Sequence, residues 1–311
     1  MKKNIIVAGG SGFIGSHIVD RLILEGHKVV VVDNLIGGRR EQVNPYATFY
    51  KADLMDPSLV DILQHERPQV ISHQAAQINV SHSIRNPIED ATINILGSLN
   101  LLESARKCGT EKVIYASSGG AIYGEPNYLP CDEEHPIRPL SPYGVSKHTV
   151  EQYLRMYQQV YGINFIALRY GNVYGPRQNT AGEAGVISIF SQRMLKAEEI
   201  YIFGNGEQTR DFIYVTDIAE ANLLSIREGN GQSLNIGTGV GTSVNEVFKR
   251  LQESIRYEHQ PVHIESRPGE VFAIHLTYNK AESILNWKPK INLLEGLERT
   301  VAFFQTQVEN N

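Results

Sequence analysis

The run Asn4–Ala8 (NIIVA) passes directly into GGSGFIG, residues 9–15, and from there into a helical pattern over Ile14–Leu24 that stops at Gly26. Glycines at 9, 12 and 15 have the spacing that lets a chain turn sharply, approach a pyrophosphate with its backbone and pack helix on strand. A helix starting there aims its N-terminal N–H groups and positive dipole end at the anion. Asp33 ends the next β-branched run, Lys28–Val32, about 20 residues on, where a carboxylate can hydrogen-bond a ribose. Together these features specify a dinucleotide-binding βαβ unit. A carboxylate accepts from a 2′-hydroxyl but repels a 2′-phosphate, so Asp33 favours NAD over NADP. Gly9, Gly12, Phe13, Ile14, Gly15, Asp33 and its neighbour Asn34 are the cofactor-binding candidates. Arg39 and Arg40, just downstream, suit either a phosphate contact or plain solvation.

Further β-branched runs at 47–50, Val70–His73, Lys112–Ala116 and Asn164–Leu168 alternate with amphipathic segments, notably Thr92–Lys107 and Val145–Tyr161. That order predicts an α/β protein with a doubly wound parallel sheet, the Rossmann architecture, containing six strands. Past Gly171 the chain turns glycine- and proline-rich (GNVYGPRQNTAGEAG) and its elements shorten. The reading is therefore an NAD-binding domain over residues 1–174 and a smaller mixed α/β substrate-binding region over 175–311, elements of which can return to the first domain. Without a repeat or flexible linker, the two should pack with a cleft between them.

Composition narrows the partners. A net charge of −5 over 311 residues, with basic residues scattered, gives no footprint for nucleic acid or an anionic membrane. The N-terminal MKKNIIVAGG has two lysines, but its apolar run breaks at Gly9-Gly10, too early for a signal core or a spanning helix. Cys108 and Cys131 have no metal-like spacing and suggest fillers in a reducing compartment. The expectation is a cytoplasmic enzyme with no metal.

SPYGVSKHTVEQYL supplies the chemistry. Tyr143 and Lys147 are four apart, and Pro142 at a helix start leaves both on one face. A phenol with a pKa near about 10 is no base at neutral pH unless positive charge favours its anion. Lowering it to about 7 takes roughly 4 kcal/mol, within reach of an ammonium and a cationic nicotinamide in a dry site. Beside a complete dinucleotide loop, this pair points to redox chemistry on an alcohol. Asp53-Leu54 after the third strand suits the adenine edge, and Asn94 and Gln77 suit the nicotinamide side; ordinary caps or surface polar roles fit these residues equally. His73 reads better as packing beside the sheet.

Taken together, GGSGFIGSH, DNL, YASSGGAIYGE, SPYGVSK, LRYGNVYGPRQ, RDFIYVTD and the closing LNWKPK resemble the extended short-chain dehydrogenase/reductases, and within them the nucleotide-sugar epimerases. The likeness spans nearly the whole chain. It implies 4-epimerisation of a UDP-hexose, UDP-glucose/UDP-galactose, through a transient 4-keto sugar. Tyr143 would exchange the proton of the sugar 4-hydroxyl, NAD would take and return the hydride, and Lys147 would tune the tyrosine and grip the nicotinamide ribose. Relatives often carry Ser or Thr four residues before the Tyr of the YG pair; here that position is Gly119, so the resemblance shifts the hydroxyl to Ser118, with Ser117 buried behind it. Nucleotide-sugar 4,6-dehydratases place an acidic pair just after the hydroxyl residue, and Gly119-Gly120 cannot supply one, which disfavours dehydration.

The resemblance also assigns the UDP-sugar substrate. Arg210 and Arg267 match diphosphate-binding positions, Asn172 a diphosphate contact, Glu270 the acid that holds the uridine ribose, and Phe203 the border of the uracil. Arg177 and Tyr174 fit substrate binding or a fastening of the two regions. Ile274 falls where the family gates the space beside the sugar, and its intermediate size leaves N-acetylated substrates open. The segments 92–107 and 145–161 match the helices that pair between subunits, implying a homodimer. A 4-epimerase of UDP-glucuronate or a UDP-N-acetylhexosamine is the alternative, and a non-catalytic NAD sensor the alternative from another class.

Overall fold

A computed structural model describes residues 2–179, 185–266 and 271–309. Its centre is a seven-stranded parallel sheet of β1 (Asn4–Ala8), β2 (Lys28–Asp33), β3 (Thr48–Lys51), β4 (Val70–His73), β5 (Lys112–Ser118), β6 (Asn164–Tyr170) and β7 (Gln232–Ile236). The strand order is β7-β6-β5-β4-β1-β2-β3. Six strands match the sequence reading to within two residues at each end. The seventh comes from the second region and lies along β6, with Gln232 opposite Ile166 and Ile236 opposite Tyr170.

Strand alternation divides the sheet between two cores. Ile5 and Val7 face one way, into Ile18, Val19 and Leu22 of α1 (Phe13–Leu24) and Ile218 and Ala221 of the helix Val215–Leu224. Ile6 and Ala8 face the other way, into Leu59 and Leu63, Leu101 and Leu102, and Val150 and Leu154 of three further helices. Successive side chains of a strand point to opposite faces, so such apolar runs are expected where helices cover both. The helix expected from Thr92 is broken: Thr92–Leu96 is a π-helical turn, followed by α2 (Gly97–Cys108). The catalytic-motif helix α3 (Pro142–Tyr161) starts at Pro142, as its proline suggested, and is capped by the Ser141 side chain, which accepts from Gly144 N at 3.2 Å.

The second region has its own core of Tyr174, Phe212 and Tyr214 with residues from helices Val186–Leu195, Val244–Ile255 and Leu293–Glu309. Trp287 pins its C-terminal part, donating from Nε1 to the Asp217 carbonyl at 2.9 Å. The strand order reverses between β1 and β4, and the crevice outside the C-terminal ends of strands at such a switch point is where open α/β sheets bind ligands.

Candidate active site

The glycine loop lies in that crevice. Gly9 has φ +80°, and a Cβ on it would come 2.5 Å from Ala75 N in the segment leaving β4. A Cβ on Gly15 would overlap the Gly9 carbonyl oxygen. α1 begins at Phe13 after Gly12, with neither a side-chain cap nor an acidic residue in its first turn. An uncapped helix end free of competing carboxylates, wrapped in a turn only glycine can make, fits a dinucleotide pyrophosphate. Asp33 is buried and held by backbone donors, Ser11 N to Oδ2 at 3.0 Å and Leu35 N to Oδ1 at 2.8 Å. Each oxygen retains acceptor capacity, so the residues present fit NAD. Asn34 donates to Asp53 Oδ2 at 2.6 Å, and Asp53 Oδ1 accepts from Met55 N. Leu54 packs beside Gly97, and its carbonyl accepts from Asn100. Arg40 lies over the Phe49 ring, 4.6 Å from its centroid.

Across the crevice, α3 presents Tyr143 and Lys147 on one face. The Lys147 ammonium is buried, donates to the Ala116 carbonyl at 2.8 Å, and lies 5.0 Å from the Tyr115 ring centroid and 5.7 Å from that of Tyr143. Burial lowers its pKa to about 8, against the opposing pull of Asp90. Burial likewise pushes the Tyr143 phenol up to about 12, with the Asp90 charge acting in the same direction and a hydrogen bond to the Ser118 side chain opposing it. The lowered tyrosine value expected from the sequence rests on two cations, of which the chain supplies one.

Ser118, at the end of β5, is thus the hydroxyl that meets the tyrosine. Gly119 has no room for one: a Cβ there would overlap Leu276 Cδ1 and come 3.2 Å from the Arg169 carbonyl. Ser117 points away and donates to Glu151 Oε1 at 2.6 Å. Glu151 also forms an ion pair with Arg169, 2.8 Å between Oε2 and Nη2, and both are almost fully buried. Arg169 reaches the Tyr123 hydroxyl, which donates to Asn235 of β7. This network fastens α3 to β5, β6 and β7 directly behind the reactive groups.

Tyr143 and Ser118 open onto a cavity of about 830 Å³, whose wall includes Asn172, Phe203, Arg210 and Val271. The volume lies within the range of small-molecule sites. Arg210 also donates to the Thr209 carbonyl at 2.9 Å. Arg267 and Glu270 lie outside the described residues. Ile274 does not border the cavity; it is buried with Ile122, Cys131 and Leu276, a correction that follows from its apolar neighbours. Arg177 fastens the second region to α1 through Asp20 at 2.7 Å, and Tyr174 belongs to the second region's core.

Gln77 and Asn94 meet each other. The Asn94 carboxamide accepts from Gln77 N at 2.9 Å and donates to Gln77 O at 3.0 Å and to Asp90 Oδ1 at 2.9 Å. The sequence reading missed Asp90, a fully buried carboxylate. Burial of an acid four residues before Asn94 leaves no mark in an otherwise ordinary helical pattern. His73 is also buried, its Nε2 2.8 Å from Ser98 Oγ and its ring against Tyr115. Among the described residues no cluster could hold a metal ion, and no helix is long and apolar enough to cross a membrane.

A glycine loop at a sheet's switch point, facing a tyrosine–lysine helix, defines a dinucleotide-dependent enzyme acting on an alcohol. The chain belongs to the NAD dependent epimerase/dehydratase family, whose model matches residues 5–237. It is 52% identical to a putative UDP-glucose 4-epimerase of Methanocaldococcus jannaschii, over 97% of this chain and 98% of the relative. The crystal structure of a Thermotoga maritima UDP-glucose 4-epimerase with UDP-glucose superposes with a TM-score of 0.97 at 48% identity, covering 98% of this chain and 99% of that one. A Thermus thermophilus UDP-glucose 4-epimerase in complex with NAD gives 0.94 at 41%, covering 97% and 99%.

Proposed function

We propose that this protein is an NAD-dependent 4-epimerase that interconverts UDP-glucose and UDP-galactose. The observation that carries the reading is Ser118 beside Tyr143 on the wall of a cavity that also holds Asn172, Phe203 and Arg210, with the Lys147 ammonium 5.7 Å from the Tyr143 ring centroid. The similarity to the Thermotoga enzyme with UDP-glucose supports the substrate.

NAD bound between the glycine loop and Asp33 supplies the acceptor, and then the donor, of the hydride at sugar C4. Tyr143 takes the proton of the 4-hydroxyl on its phenolic oxygen and gives it back when the alcohol re-forms. Ser118 hydrogen-bonds that oxygen and the sugar oxygen, keeping the proton path short. Lys147 holds positive charge beside the phenol, so that the anion costs less. The 4-keto sugar turns inside the cavity and presents its opposite face, while Arg210 and Arg267 hold the diphosphate, Asn172 contacts it, Glu270 holds the uridine ribose and Phe203 borders the uracil. Gly119 and Gly120 offer no acid or base, which keeps the reaction from becoming an elimination.

Several further features belong to the same reading. Residues 1–174 form the NAD-binding domain and 175–311 a smaller nucleotide-sugar-binding region, with Ser118, Tyr143 and Asn172 of the first domain also reaching the sugar nucleotide. Ile88, Leu96, Val145 and Val160 are all at least 48% exposed on the helical segments 87–108 and 142–161, which supports a homodimer formed there. Two free cysteines suit a cytoplasmic location.

Proton NMR of UDP-glucose incubated with the purified protein and no added cofactor tests the reaction. The expected result is the anomeric signal of UDP-galactose. No product, even with NAD supplied, overturns the reading; faster turnover of UDP-glucuronate or UDP-N-acetylglucosamine would reassign the sugar.

A further inference from the structure

Asp90 is a fully buried carboxylate beside the site that the reaction does not use and that, unlike Glu151, has no cation paired with it among the described residues. It is 0% exposed and accepts hydrogen bonds from three separate elements. Gln77 Nε2, from the segment after β4, donates to Oδ1 at 2.9 Å; Asn94 Nδ2, from the π-helical turn, donates to the same oxygen at 2.9 Å; Ser146 Oγ, from α3, donates to Oδ2 at 2.7 Å. Both carboxylate oxygens are thus engaged by donors from outside its own turn, the surroundings in which a buried carboxylate is satisfied. Ser146 immediately precedes Lys147, whose ammonium is itself buried and donates to the Ala116 carbonyl. A buried ammonium bonded to a neutral acceptor sheds its proton unless an anion stands close by.

We propose that Asp90 is the buried counter-charge of Lys147, a positioning residue whose negative field keeps the lysine an ammonium and which also locks the Gln77 segment to the catalytic helix. This rests on the Tyr143/Lys147 chemistry above. The surrounding charges leave that role to Asp90. Glu151, one turn beyond Lys147 on α3, is neutralised by Arg169. His73 on β4 is held neutral by burial, its pKa lowered to about 3. Tyr115 on β5 is driven further toward its neutral form by burial. Tyr143 on α3 feels Asp90 as well, which raises its pKa in the same sense as that of Lys147. The field therefore acts on both members of the reactive pair at once.

Asp90→Asn removes the charge while keeping the shape: Oδ1 still accepts from Gln77 and Asn94, and the new amide can donate to the Ser146 hydroxyl. In the NAD-loaded enzyme, the pH profile of kcat for UDP-glucose should move bodily toward acid in this variant, both limbs by about one pH unit. Side-chain NMR of selectively labelled lysine should show Lys147 titrating near about 8 in the parent cofactor-free protein and lower in Asp90→Asn. Lys112, which burial also holds near about 8, is assigned through Lys112→Arg. Ser146→Ala keeps the charge and drops one hydrogen bond, so its limbs should stay in place whatever happens to its turnover. Unmoved limbs and an unmoved Lys147 titration in Asp90→Asn overturn the proposal. If that variant does not fold, limbs that shift in Ser146→Ala overturn it, because the charge there is intact, and limbs that hold support it. Absence of epimerisation by the parent enzyme would instead sink the functional reading, and the NMR titration separates the two failures.

Discussion

Gly119 abuts Leu276 so closely that a Cβ on the glycine would overlap the leucine's Cδ1. The place where a hydroxyl is expected from the sequence pattern is therefore closed by core packing, and the hydroxyl that meets Tyr143 belongs to Ser118. Gly119→Ser should lose about 1–3 kcal/mol of stability through overpacking and gain no turnover. Urea unfolding beside steady-state kinetics checks both; a stable variant with faster epimerisation would show that the position faces the sugar after all.

The two hydroxyls of the site should differ in weight. Tyr143→Phe removes the proton acceptor and should cut kcat by about 10²–10⁴. Ser118→Ala removes one hydrogen bond to a charged oxygen, about 1.5–3 kcal/mol, or roughly 10- to 100-fold in kcat, with KM for UDP-glucose little changed. Equal losses in the two variants, or a Ser118→Ala effect confined to KM, would contradict these roles.

Acid lability should trace in part to His73. Its folded pKa is lowered to about 3 by burial and by the positive charge of Lys147, whereas in the unfolded chain it titrates near about 6.5. Between those values the unfolded state binds more protons, so the stability His73 contributes falls as pH drops through about 6.5 and is exhausted near about 3. The slope approaches about 1.4 kcal/mol per pH unit. Urea midpoints measured from pH 7 downward should fall less steeply in His73→Gln; parallel curves would remove this histidine from the account.

Glu151→Gln leaves the Arg169 guanidinium buried without its counter-charge. Removing one partner of such a pair costs about 3–5 kcal/mol, far more than the loss of an exposed ion pair. Arg21→Ala, which breaks a surface pair with Glu25 and Glu220, should cost less than about 1 kcal/mol in the same unfolding assay. A Glu151→Gln variant as stable as the parent would show that the network behind Ser117 carries no net stability.

The cofactor half of the site was legible because its constraints are local: a strand, a turn only glycine can make, a helix start and an acid fall within about 30 residues. Tyr143 and Lys147 were legible for the same reason, as neighbours on one helical face. What escaped depends on distance along the chain. β7 pairs with β6 across some sixty residues, and its mixed polar–apolar run QSLNI is unremarkable until that partner is known. Asp90 looks like any helix-surface acid until three donors from three elements converge on it. Ile274 was placed by its offset from Glu270, and the apolar pocket formed by Ile122, Cys131 and Leu276 took it inward instead.

β7 has a consequence for how such a chain can be divided. β6 is completed on its outer side by residues 232–236. A fragment stopping at residue 174 would expose that row of N–H and C=O groups as a long apolar edge, ready to pair with other chains. The halves are thus not interchangeable cassettes: recombination at this boundary would yield an insoluble front half, and lineages exchanging sugar-binding regions would have to carry a matching strand with them.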